Sequence, residues 1–127
     1  MDFTFDTYRK LLISLRDHGY YFQTFEEFIT RPSGKSVILR HDIDRKPYNA
    51  LRIAEIEASL GVRASYHLRI RTVIRTPDII NYLTKTGHEL AYHYEDLTSV
   101  AGSGKYTQSE IEEAFNSFRK NLALLRQ

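Results

Sequence analysis

Ser36-Val37-Ile38-Leu39-Arg40-His41-Asp42-Ile43-Asp44 carries the central signal of this chain. Its apolar run, Val37, Ile38 and Leu39, passes directly into polar residues, as a buried parallel strand does where it emerges at its carboxyl end. Ligands bind at that end in α/β folds. Downstream, Pro47 opens a helix with Ala50, Ile53, Ala54, Ile56 and Leu60 on its apolar side, and Gly61 falls where an αL cap belongs. Residues 64–70 read as a strand. Thr76-Pro77 reads as an N-cap with proline at the first helical position, leading into Ile79, Ile80 and Leu83, and Gly87 ends that helix. Residues 89–94 form another strand, and 101–104, Ala-Gly-Ser-Gly, a loop. Thr107 and Glu110 then make a capping box before a helix with Ile111, Ala114, Phe115, Phe118, Leu122 and Leu125 on its apolar side.

Upstream, Phe5, Tyr8, Leu11, Leu12 and Leu15 recur at helical spacing, and Gly19 is the stop. Residues 20–23 are strand-like, Thr24 and Glu27 form a capping box for a helix to Thr30, and Arg31-Pro32-Ser33-Gly34 breaks it. The order is αβα followed by three further strands, each trailed by a helix or loop. Such alternation gives an α/β fold with a mainly parallel sheet and right-handed crossovers. Four strands and five helices suit an open doubly wound sheet or half of a barrel.

The 127 residues suit one domain, 1–127, and 42% apolar with 27% charged residues is a globular balance. A net charge of +2 is too small to indicate nucleic-acid or anionic-membrane binding. The absence of cysteine excludes disulfides and thiolate metal sites, so any metal must use His, Asp or Glu. The first ten residues hold two acids and no apolar h-region, and no apolar run approaches the roughly 18 residues of a membrane span. The chain therefore reads as soluble, unexported and cytoplasmic.

Asp42 and Asp44, two apart on a strand, leave the same face at its carboxyl end. Such a pair can divide labour, one acid holding a divalent cation and the other taking a proton from water. The spacing equally suits a loop acid salt-bridged to Arg40 or Arg45. His88-Glu-Leu-Ala-Tyr-His93 invites comparison with the zincin helix H-E-x-x-H, but these histidines are five apart, about 140° around a helix, and do not share an ion that way. On a strand, Ala91, His93 and Glu95 share a face and His88 takes the other, which makes His93 the site candidate and His88 structural. His67 shares a face with Ser65 and Arg69, and packing is the favoured reading for His41 and His67. Tyr92 and Tyr94 flank His93 and suit sugar stacking, although strand propensity also explains them. Gly102-Ser-Gly-Lys105 fails as a phosphate loop, because Ser99 and Tyr106 stand where glycine and Ser or Thr are needed.

Three segments together resemble the NodB-type polysaccharide deacetylases, carbohydrate esterase family four. Residues 37–44 are similar to the family's strand ending in T-F-D-D-G, residues 63–68 to its A-T-F-F strand, and residues 87–93 to its G-H-E-I-x-x-H. Arg-His-Asp-Ile-Asp with Tyr-His-Tyr-Glu-Asp resembles a branch found in bacterial surface-polysaccharide gene clusters. The resemblance implies a distorted (β/α)7 barrel and a divalent metal, usually zinc, that activates water to remove acetyl groups from an N-acetylated sugar or glycan. It makes Asp42 the general base, and Asp44 and His93 metal ligands. Leu97 stands where the family has its second histidine, so Glu95 or a later residue is the replacement ligand; Tyr92, Tyr94 and Arg69 would line the substrate site. The likeness covers only the first half of the family domain, which implies a partial barrel completed by its missing half or by self-association.

The leading expectation is thus the N-terminal half of a metal-dependent deacetylase-like hydrolase with little activity alone. The second is a non-catalytic NodB-like carbohydrate-binding or structural module. A third is a D-x-D phosphatase or glycosyltransferase fragment, which prefers magnesium or manganese and does not use His93.

Overall fold

The computed structural model describes residues 4–43, 46–93 and 107–125. Helix α1 (Phe5–Asp17) begins at Thr4, whose hydroxyl accepts from the Thr7 amide, and it lays Tyr8 and Leu12 against Ile56 of α3 (Pro47–Ser59). Between them come β1 (Tyr21–Phe22) and α2 (Phe25–Thr30), the latter opened by the expected reciprocal Thr24–Glu27 capping box. The strand expected over 36–44 is present but divided. Its first half, β2 (Ser36–Val37), pairs in parallel with β1, and its second, β3 (Arg40–Ile43), pairs in parallel with β4 (Ser65–Leu68), which in turn pairs with β5 (Glu89–Tyr92). The described strands thus form two open parallel sheets, β1-β2 and β3-β4-β5, in an α/β architecture.

Register decides which side chains meet. Arg40, Ser65 and Glu89 are level, and so are Asp42, His67 and Ala91, all on one face of the three-stranded sheet. The alternate residues, His41, Ile43, Tyr66, Leu68, Leu90 and Tyr92, form the other face. On that second face Ile43, Tyr66 and Leu68 are sealed against Ala54 of α3 and against Ile79 and Leu83 of α5 (Pro77–Lys85). Burial of each large side chain there contributes roughly 1.5–3 kcal/mol. The core therefore lies between sheet and helices, and the opposite face is left to polar residues.

Gly61 and Gly87 take φ of +69° and +83° just past α3 and α5, where a side chain would be strained. Four expectations need correction. The strand over 64–70 stops at Leu68, because Ile70 already begins an unforeseen helix, α4 (Ile70–Arg75). Its sequence, Ile-Arg-Thr-Val-Ile-Arg, is rich in β-branched residues and too short to show helical period. Thr76 does precede Pro77, but makes no side-chain cap; its hydroxyl donates back to the Thr72 carbonyl, closing α4 instead. The last strand ends at Tyr92, and the remainder of its expected span beyond His93 lies outside the described residues. Finally, α6 (Gln108–Leu125) has its expected capping box, but Ile111 and Phe115 face solvent, and only a narrow stripe around Ala114, Phe118 and Leu122 is covered. No helix among the described residues is long and apolar enough to cross a membrane.

Candidate functional site

Strand alternation brings Asp42, His67 and His93 to the polar face, at the carboxyl ends of β3, β4 and β5. The His93 amide donates to the Leu68 carbonyl and so extends the ladder by one residue, which keeps its side chain on the face of Ala91. His93 Nε2 stands 3.8 Å from Asp42 Oδ2. That is too far for a hydrogen bond but within ion-pair distance. His93 Nδ1 is buried and has no hydrogen-bond partner among the described residues. Asp42 Oδ1 is held from the other side by Arg40 Nε at 3.0 Å, so the salt bridge that the spacing allowed is formed.

His67 lies in register beside Asp42 and bonds through Nε2 to the Ser65 hydroxyl at 3.1 Å, while Phe25 meets its ring edge-on. Burial first, and then the Arg40 guanidinium, push its pKa below the ordinary 6.5. At neutral pH His67 is an uncharged donor or acceptor. Glu89, on the same face, turns away to the amides of Phe25 and Glu26, at 3.2 and 3.0 Å, and caps α2.

Arg69, directly after β4, lines a cavity of about 680 Å³ with Arg40, His41, Asp42, Lys46 and Ile53. Tyr92 sits on the opposite face from His93, stacked on Phe118 at 5.4 Å and accepting a hydrogen bond from Asn121. Its ring is thus engaged by α6. Asp44, Tyr94 and Glu95 lie outside the described residues, as does Leu97.

The face fits a metal only in part. His93, whose Nδ1 has no partner among the described residues, is a suitable donor, and mixed His and carboxylate ligands suit zinc. Among the described residues, however, no three His, Asp or Glu side chains converge to hold an ion, so further ligands, such as the Asp44 and Glu95 that the resemblance implies, would have to come from outside them.

A second constellation lies behind the sheet, outside the residues that the strand pattern singles out. Glu57 of α3 is fully buried, and three donors converge on its carboxylate: Tyr8 Oη at 2.5 Å, His41 Nε2 at 2.7 Å and the Tyr66 hydroxyl. His88 Nδ1 lies 4.0 Å from Glu57 and accepts the Ala64 amide, which supports its structural reading. The signal was present in the sequence: Glu57 stands in phase with Ala50, Ile53, Ala54 and Leu60 on the apolar side of its helix, where an acid needs partners. Burial and then Glu57 push the Tyr8 and Tyr66 phenols far above their ordinary 10.0, and burial pushes His88 below 6.5.

Compared with family profiles, curated proteins and solved structures, the chain matches none.

Proposed function

We propose that the polar face of the β3-β4-β5 sheet is the site of a metal-dependent hydrolase that removes N-acetyl groups from a sugar or glycan, as in the NodB-type deacetylases that the sequence resembles. The observation that carries this reading is the meeting of Asp42 and His93, far apart in the chain, at 3.8 Å on the ligand-binding end of a parallel sheet. His93, Asp44 and Glu95 would hold the metal. Zinc in such a place supplies Lewis acidity and lowers the pKa of water. Asp42, tethered by Arg40, would serve as the general base, and Arg69 borders the cavity where substrate would lie. The open sheet would be one part of a (β/α)7 barrel, completed by further strands or by a second copy, since β3 and β5 have no strand partner on their outer sides among the described residues.

The test is acetate release from N-acetylglucosamine oligomers with zinc present. A zinc-dependent signal that falls at least about 100-fold in Asp42→Asn supports the assignment. Release unaffected by that change refutes it. The Arg40–Asp42 ion pair favours a second reading, a non-catalytic module in which Asp42 is structural; sugar binding retained in Asp42→Asn without any acetate release would select it.

A further inference from the structure

The Glu57 cluster has a feature that a sealed structural network lacks: one of its members opens outward. His41 uses Nε2 for Glu57, and the Tyr8 hydroxyl also stands 3.3 Å from that nitrogen. Its Nδ1 has no hydrogen-bond partner among the described residues and is not among the sealed polar atoms, while His41 itself lines the cavity of about 680 Å³ beside β3. Glu57 Oε2 accepts from His41 Nε2–H, which leaves the lone pair on Nδ1. A buried carboxylate fixing the tautomer of a histidine that faces a cleft is the arrangement used to orient a general base. The second Glu57 oxygen is occupied by Tyr66, and Tyr8 shares the first, so the carboxylate is fixed in place from α1, β4 and α3 together.

We infer that His41 and Glu57 form a second proton-transfer centre, independent of metal, in which His41 Nδ1 accepts a proton from a water or alcohol bound in the cavity and Glu57 is the positioning residue. In hydrolysis of an ester, the water oxygen bonds to the carbonyl carbon as its proton passes to Nδ1. The bond from that carbon to the leaving oxygen then breaks, and the ring returns the proton to the departing alcohol. Glu57 balances the charge of the transient imidazolium without taking its proton. The groups facing His41 are Tyr8 from α1, Glu57 from α3 and Tyr66 from β4, with His88 beyond Glu57; Arg40, Asp42, Lys46 and Arg69 line the cavity. Its cationic side chains suit an oxyanion.

The probe is p-nitrophenyl acetate, with the full chain and a chelator present, so that this inference and the metal reading can fail separately. Hydrolysis should rise with pH along a single limb, fall at least tenfold in His41→Gln, and lose or displace that limb in Glu57→Gln. The control, His18→Gln, alters an exposed histidine whose ring bonds to the Ser14 carbonyl, away from the cavity, and should change nothing. Nitrogen NMR of the imidazoles in the unaltered chain provides a second measurement that needs no variant. His41 should be the Nε2–H tautomer once neutral. A His41 protonated on Nδ1, or hydrolysis equal in His41→Gln and His18→Gln, would overturn the inference.

Discussion

Glu57 shows how much one side chain demands of its surroundings. A carboxylate with no exposed surface loses its hydration, and here two phenols and an imidazole replace it. Glu57→Ala strands all three donors and should cost about 3–5 kcal/mol in urea unfolding; Tyr8→Phe, which removes one charge-assisted bond, should cost about 1.5–3 kcal/mol. The pH dependence has two signs. Tyr8 and Tyr66 have folded pKa values raised above the ordinary 10.0, so their contribution is full below pH 10 and is lost as pH rises beyond it. Phenolate absorbance of these two tyrosines should appear only with unfolding. His67 and His88 have values lowered from 6.5, so the unfolded chain binds more protons, and stability should fall as pH drops below 6.5. A flat acid limb in thermal melts between pH 7 and 5 would contradict those environments. Asp42 and His93 were legible as site candidates because strand alternation fixes a face from sequence alone. The Glu57 cluster is not legible in the same way, because its partners, Tyr8, His41 and Tyr66, come from three separate elements that no local pattern connects.

Local chemistry at the level of elements was read more fully where a motif is closed within four residues. Both Thr-x-x-Glu boxes form, since donor and acceptor are on the same turn. Thr76 shows the converse. Its hydroxyl could accept from an amide of α5 as a cap or donate to a carbonyl of α4, and the end of α4, itself hidden in a β-branched run, took it. Helix α2 has only six residues, too few to be stable alone, and its first amides are satisfied by Glu89 from β5. This long-range cap could not be read locally. Glu89→Ala should cost about 1 kcal/mol, and exchange of the Phe25 and Glu26 amides should quicken relative to the rest of the chain. Unchanged exchange there would mean that the capping box alone holds α2.

For the whole molecule, parallel pairing and the αβα opening follow from the alternation of elements, and register then gives the sheet two unlike faces. One face is an ordinary core of Tyr66, Leu68, Ile79 and Leu83. The other carries Arg40, Asp42, His67 and His93, groups with no reason to assemble for burial alone. The division of the long strand into β2 and β3 had no signal in its unbroken apolar run, because its two halves pair with different strands. The proposed role of the polar face rests on metal binding, and calorimetric titration of the chain with zinc tests it most directly. Sub-micromolar binding, weakened at least tenfold by His93→Ala and by Asp44→Ala, is the predicted result; no binding, or binding indifferent to both changes, would contradict it.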